Sequence, residues 1–567
     1  MATIQGRKRG QRTYYYIVES RRVNGKPRPI VVKYLGTAAA LAARLEQAEQ
    51  SNTPLQAEVL EFGAVAALWD LACRLDLVCT IDRRVAKRDQ GLSIGQYLTL
   101  AAINRCVAAT SKSRFAEWYA GTILPRLCPA PQKLLAGQRF WDAMDHVSGE
   151  AIRAVEAELS RRVVEDFELA LRTLCFDCTN FDTYIDSTNS AQLPQRGHAK
   201  SKRTDLRIVG LALMVSVDGM VPLFSQIYAG NQADSVTFRS VTEELVARYR
   251  LLAREAEHVT LVFDKGNNCT DNVAAIRDSP YHVIGSLVPS QHQDLLAIPL
   301  KKFSELEDPR LEGVVAHRTK KTVFGRDWTI VITRSEALLS GQLRGIAQHL
   351  DKRKKAFFEL RRKLRASQKP GAKGKGYTRE SLEAHASKLT RGQYLKELLE
   401  IEVREDEGRL AIFFREKPRV LERLVREVLG KRILFSDNDD WTTEQIVLGY
   451  RSQHHVEAAF RQMKDHFFVS FEPIRHWTDQ KIRVHAFICV LALTLASLLR
   501  REVARKGIAL SVDALLDQLQ GIQEVVNLYP AVGDKGGRPR ARRVYTRMTR
   551  LQEQLFAHLD LAQFQRT

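Results

Sequence analysis

The 567-residue chain is too long for one hydrophobic core, and about three to five domains of roughly 100–200 residues each are expected. With 44% hydrophobic and 27% charged residues, its composition is that of a globular protein and excludes a largely disordered chain. A net charge of +21 implies a polyanionic partner, nucleic acid first and an anionic membrane surface second.

No apolar leader segment opens the sequence, so no signal peptide is expected. Residues 12–36 read as a β-hairpin. Tyr14-Tyr15-Tyr16-Ile17-Val18 and Ile30-Val31-Val32 are its β-rich runs, Asn24-Gly25 is its turn signal, and Arg21, Arg22, Lys26 and Arg28 crowd the tip. Residues 37–172 carry apolar positions at helical spacing, notably over 58–78 and 93–107, without a clear helix-turn-helix signature.

The pattern changes at residue 173. Leu174 to Cys178 reads as a short buried strand, and Ile208 to Val217 as a long one. Asp218-Gly219 is a turn, followed by a return strand from Val221 to Tyr228. Asp234 or Ser235 caps a helix reaching about Arg254, and Val259 to Phe263 forms another buried strand ending at Asp264. This order is an α/β plan with mixed sheet pairing.

Residues 285–430 read as a separate block, with strands near 327–333 and 410–414 around a basic helical run from Lys352 to Arg365. The single sign of that run favours phosphate contact. Lys369 to Gly376 is a Gly/Lys loop. Order returns with a strand from Arg432 to Phe435, a helix capped by Thr442 or Thr443 running through Glu457 to about Lys464, and a helix over 479–503. The apolar stretch Val484–Leu499 is short for a bilayer span and includes His485, which suits a buried core helix. The tail from Lys535 to Arg550 reads as a flexible basic arm.

The eight cysteines show no disulfide spacing, so a reducing, cytoplasmic compartment is expected. Cys175-x-x-Cys178 lacks the second ligand pair of a zinc site and reads as flanking a buried strand.

Three acids stand out by position. Asp177 lies within a hydrophobic strand, where an unpaired charge is costly. Asp264 ends a second such strand. Glu457 lies on an amphipathic helix. Carboxylates so placed suit hard divalent cations, and two such ions about 3.5–4 Å apart can activate a water or 3′-OH in phosphodiester displacement. Each acid also has an ordinary reading. Asp182 and Asp186 compete with Asp177, Asp264 can start a turn, and Glu457 can pair with Arg461 at i+4. Tyr450, Gln453, Glu457, Arg461 and Lys464 follow at steps of 3, 4, 4 and 3, which places them on one helix face. Such a stripe suits a metal ligand flanked by groups that hold a DNA backbone, with Arg461 and Lys464 on phosphate and Tyr450 bonding a phosphate or stacking.

The segment from Tyr450 to Lys464 resembles the Y-(2)-R-(3)-E-(6)-K signature of DDE transposases of the insertion-sequence-four superfamily, with Gln453 where that family usually has Arg. Gln keeps hydrogen bonding but loses the charge and the bidentate fork. Phe176-Asp177-Cys178-Thr179 resembles the first-acid strand, and Gly197 to Leu206 the stretch after it, with Lys200 and Arg203. Gly230-Asn231-Gln232-Ala233-Asp234 resembles the motif after the hairpin, and Val262 to Gly266 the second-acid motif, with Lys265 for Arg. Pro473 to Trp477, Arg21 to Lys26 and Gln138 to Trp141 are similar to further family segments, the last two to its sixteen-thirty-four subgroup.

The resemblance selects Asp177 over Asp182 and Asp186. It implies an α/β ribonuclease-H-like core with a large mixed α/β insertion, preceded by a mainly helical N-terminal region. The expected divisions are a basic β-hairpin region (1–40), a helical DNA-binding domain (41–170), core halves (171–284 and 431–505), an insertion (285–430) and a helical, basic tail (506–567). It further implies cut-and-paste transposition with Mg²⁺ or Mn²⁺, two ions per site, held by Asp177, Asp264 and Glu457. Tyr450, Gln453, Arg461, Lys464, Lys200, Arg203 and Lys265 would contact DNA. The partners would be double-stranded element ends and target DNA, bound by a homodimer, with no membrane. A decayed or domesticated DNA-binding relative and a ribonuclease-H-like nuclease are the alternatives.

Overall fold

Three antiparallel strands open the chain: β1 (Ala2–Arg9), β2 (Arg12–Val23) and β3 (Lys26–Thr37). The structure is a computed structural model and describes residues 2–23, 26–86, 91–233, 241, 244, 259–264, 273, 281–371, 376–530 and 539–565. Most of the helix proposed after Asp234 or Ser235, Lys265, the turn pair Asn24-Gly25 and residues 372–375 of the Gly/Lys loop lie outside the described residues.

The N-terminal region therefore begins as a sheet, which corrects the mainly helical start expected for it. β1 has no apolar alternation to announce it, yet it pairs with β2 along its whole length, from Ala2↔Glu19 to Arg9↔Arg12. A helix, Ala38–Asn52, follows the sheet, and helices dominate after β4 (Gln56–Glu61), among them Gly63–Arg74, Ile94–Val107 and Gly149–Asp166.

Nine strands among the described residues form the central sheet. They are β5 (Thr173–Thr183), β6 (Arg207–Ser216), β7 (Pro222–Ala229), β8 (Thr260–Phe263), β9 (His282–Leu287), β10 (Ser304–Glu305), β11 (Val314–Val323), β12 (Arg326–Ser335) and, later in the chain, Lys431–Ser436. Strands β5, β8 and β9 run parallel, and all other neighbours are antiparallel. The near-continuous apolar runs of β6 and β8 follow from burial on both faces.

The chain leaves this sheet at Ser335 and rejoins it at Lys431. Between them lies a satellite module of the helices Glu336–Ser367, Arg379–Leu389 and Pro418–Glu427 and the hairpin of β13 (Leu399–Asp406) with β14 (Arg409–Glu416). Phe357, Leu360, Leu364, Leu382 and Ile412 give it a small core of its own. Strands β10, β11 and β12, inside the 285–430 stretch, belong to the central sheet.

The returning strand Lys431–Ser436 is β15. The tail holds β16 (Gln523–Tyr529) and β17 (Arg540–Tyr545), which form a third sheet with β4. Residues Arg540–Tyr545 of the arginine-rich tail are thus a strand rather than a flexible arm, because β16 supplies a pairing edge that no local pattern reveals.

The helix Asp479–Arg505 is long and apolar enough to cross a membrane, but 94% of its most apolar window is buried inside the protein. It packs against β7 and the helices Gly63–Arg74 and Ile94–Val107, so its apolarity is that of a core element.

Candidate active site

β5 and β8 bring two acids side by side. Their parallel register ends with Cys175↔Val262 and Phe176↔Phe263, so Asp177 and Asp264 are the next residues on neighbouring chain segments. Adjacent strands lie about 4.8 Å apart. Asp177 is half-buried within β5, and Asp264 is half-buried at the end of β8.

The Glu457 segment crosses the same face of β5. Side chains alternate along a strand, so Cys175, Asp177 and Thr179 share a face. Cys175 Sγ donates to the carbonyl of Ser452 at 3.1 Å, and Lys464 Nζ donates to Thr179 Oγ1 at 3.0 Å. Asp177 lies between these two tethers, and Glu457 lies between their other ends.

The segment is not one helix. It comprises Thr443–Arg451 and His454–Met463, interrupted at Ser452 and Gln453. Thr442 caps the first with Gln445 in a reciprocal capping box. The break has a tertiary cause. The Ser452 carbonyl accepts from Cys175 Sγ and from His455 N–H, and the Ser452 hydroxyl turns back to the Gly449 carbonyl at 2.5 Å. The single face expected for Tyr450 to Lys464 is divided accordingly.

Tyr450 is 6% exposed. Its hydroxyl donates to Asp264 Oδ1 at 3.3 Å and lies 3.0 Å from Ser286 Oγ, while the Arg432 guanidinium sits 5.1 Å from its ring centroid. Burial, then the Asp264 carboxylate, push its phenol up to about 12. Both its polar tip and one ring face are engaged within the protein, so Tyr450 positions Asp264. Tyr450→Phe should lower unfolding free energy by about 0.5–1.5 kcal/mol in denaturant titrations, the net value of one buried hydrogen bond. An unchanged midpoint would show that the hydroxyl contributes nothing to holding Asp264.

Gln453 is 7% exposed and lines a cavity of about 450 Å³ together with Asp264, Tyr450 and Glu457. Glu457 and Arg461 are exposed, and neither forms an ion pair with the other. Lys464 is half-buried, its Nζ 5.3 Å from the centroid of Phe181. Burial, then the neighbouring Lys200, lower its pKa. Lys200 is held by its Nζ on the Cys178 carbonyl and by its N–H on Asn180 Oδ1 at 2.9 Å. Gly197 fits this loop against Gly230, where a Cβ would meet the Gly230 carbonyl oxygen at 2.1 Å. Arg203 is exposed and paired in bidentate fashion with Asp205 at 2.7 and 2.5 Å.

The competing aspartates occupy other environments. Asp182 accepts from Ser201 Oγ at 3.0 Å, and Asp186 accepts from the Thr188 amide and hydroxyl at 2.8 and 2.6 Å as a turn residue. Cys175 and Cys178 are buried thiols, and burial pushes Cys175 up to about 12. Among the described residues, no three His, Cys, Asp or Glu side chains are grouped to hold a metal ion.

Sequence reading missed the far wall of the cavity. Gln342, Gln393 and Tyr394 reach it from the satellite module, and Ser286 and Arg432 from the sheet. Tyr394 holds a left-handed backbone conformation there (φ 63°), strain that often marks a functional wall. No periodicity points to these residues, because only the tertiary return of the chain brings them here.

Comparison with known proteins gives one family match. Residues 2–58, covering the three-stranded sheet, the helix after it and the start of β4, match the family described as IS1634 family transposase, N-terminal domain. A search of curated proteins finds no match. Among solved structures, a piggyBac transposase synaptic complex with hairpin DNA is similar at 9% identity and a TM-score of 0.35, covering 82% of each chain.

Proposed function

We propose that this protein is a DDE transposase that cuts and joins DNA ends, with Asp177, Asp264 and Glu457 as its metal-binding carboxylates. The observation that carries this reading is the register of β5 and β8, which places Asp177 and Asp264 side by side, with the Glu457 helix tethered across the same face of β5. The N-terminal family match supports it independently, since residues 2–58 contain none of the three acids.

Carboxylate oxygens are the donor class that a hard divalent ion takes, although the three side chains are not grouped around one point in this structure. Two of the carboxylates lie on neighbouring strands and one lines the same cavity as Asp264, while the Cys175 thiol is buried, which pushes it up to about 12. Bound there, Mg²⁺ or Mn²⁺ would supply Lewis-acid activation of the attacking oxygen and stabilisation of the leaving one. The chain's own residues do the rest. Tyr450 fixes Asp264, Thr179 and Phe181 hold Lys464 beside Asp177, and Lys200 adds positive charge where a phosphodiester would lie.

The test uses purified protein, a duplex carrying the DNA that flanks its gene, a supercoiled target, and Mg²⁺ or Mn²⁺. Nicking at the element ends and a covalently joined product are expected. Nicking without joining would favour a nuclease, and binding without nicking a decayed relative. Lys464→Ala should flatten the plot of log affinity against log salt by about 0.9, one phosphate contact. An unchanged slope would remove Lys464 from the DNA-binding set. The paired-end homodimer belongs to the same proposal, and a 2:2 stoichiometry with element-end DNA would support it.

A further inference from the structure

The long satellite helix Glu336–Ser367 has two unlike faces. Phe357, Leu360 and Leu364 turn into the module's core. Arg344, Lys352, Lys355, Arg362 and Arg365 are all exposed and lie on the half-turn opposite that core at 100° per residue, with Phe358, itself 60% exposed, among them.

The acids on this outer face are already taken. Asp351 pairs with Lys355 at 3.0 Å, and Glu359 pairs with Lys363 at 3.1 Å. Arg344, Lys352, Arg362 and Arg365 form no salt bridge with any described residue. Four uncompensated cations in a row on a rigid helix make a surface for regularly spaced negative charge.

The position of this row is informative. Gln342 lines the cavity that holds Asp264 and Glu457, and at 100° per residue it lies about 200° around the helix from Arg344, so the cationic row is on the side turned away from that cavity. From Arg344 to Arg365 is 21 residues, or about 32 Å of helix, which matches about nine base-pair steps of duplex DNA. We infer that the outer face of the Glu336–Ser367 helix is a phosphate track for duplex DNA, running along the side of the module turned away from the candidate active site. This rests on the transposase reading for the identity of the polyanion, and it assigns a second DNA contact separate from the β5–β8 site.

The experiment measures the affinity of the full chain for a fluorescent 40-base-pair duplex between about 50 and 250 mM KCl, by anisotropy, without divalent metal. The variant combines Arg344→Gln, Lys352→Gln, Arg362→Gln and Arg365→Gln. Its slope should be flatter than wild type by about 3–4, with each phosphate contact contributing about 0.9. Hydroxyl-radical footprints should lose one protected tract of about nine base pairs. Equal slopes and equal footprints would overturn the track. If the quadruple variant fails to fold, Arg344→Gln and Arg362→Gln singly should each flatten the slope by about 0.9, and no change in both would overturn it equally. Failure of the wild type to bind any duplex would sink the transposase reading as well, whereas wild-type binding with equal slopes sinks the track alone.

Discussion

Asp177→Asn, Asp264→Asn and Glu457→Gln should each lower metal-dependent DNA cleavage by more than about 100-fold, since groups that merely support metal ligands already cost about 10–100-fold when removed. Affinity for duplex DNA without metal should stay close to that of wild type. Each replacement keeps the size of the side chain and removes only the charge. In Asp264→Asn the new amide retains an oxygen that can accept from Tyr450, so the end of β8 should hold its place.

The comparison that gives this result meaning is with the two nearby aspartates. Asp186→Asn alters an exposed turn and should leave cleavage intact. Asp182→Asn disturbs a buried acceptor of Ser201 and should act on stability rather than on metal dependence. Gel-resolved nicking assays in Mg²⁺, with thermal midpoints for every variant, separate these outcomes. Full cleavage by any one of the three carboxylate variants would overturn its place in the site. Complete loss in Asp186→Asn would mean that the wrong aspartate has been chosen.

The elements that build this site were legible to different degrees. β6 and β8 were readable because two-sided burial writes continuous apolar runs, β7 because Asp218-Gly219 supplies a turn with Gly219 at φ 87°, and β5 only over Leu174 to Cys178, since its polar second half to Thr183 carries no such run. β1 was not, because Ala2–Arg9 is polar and basic and exists as a strand only through β2. The helix break at Ser452 and Gln453 was invisible for a similar reason. No Pro or Gly marks it, and its cause is a thiol that lies 277 positions away in the sequence. β17 illustrates the same limit in the tail, where an arginine run is held in a sheet whose third strand is β4. Of the candidate acids, Asp264 was marked by the end of an apolar run and Glu457 by its helix, whereas Asp177 was selected over Asp182 and Asp186 only by the family resemblance. The engagement of Tyr450 and the cavity wall from the satellite module were not, since both depend on contacts between distant segments.

The largest stability effect should come from Arg501, on the buried helix packed against the central sheet. Its side chain is 7% exposed and satisfies four acceptors: Asp218 Oδ1 and Oδ2 at 2.9 and 2.6 Å, and the carbonyls of Phe167 and Glu168 at 2.7 and 2.9 Å. It ties the β6–β7 turn to the helix Asp479–Arg505 and to the end of the helix Gly149–Asp166. The stem of Arg501 also fills the space beside Gly219, where a Cβ would meet its Cδ at 2.8 Å. Arg501→Met keeps most of the stem and removes every donor, so about 3–5 kcal/mol of stability should be lost, the usual consequence of breaking a buried pair from one side. The pair also sets a pH dependence. Burial acts to raise the Asp218 carboxyl, but Arg501 and the Ala170 amide outweigh it, and the net pKa is lowered from 3.8. The contribution of Asp218 is therefore fully present above the ordinary carboxylate range and is lost as pH falls through its depressed value. Wild type should lose stability steeply in acid, and Arg501→Met, lacking the pair, should lose less over the same interval. Denaturant titrations at pH 7 and near pH 3 measure both. Equal acid sensitivity in the two proteins would mean that Arg501 acts through packing alone, and a midpoint unchanged at pH 7 would mean that the turn is held by other contacts.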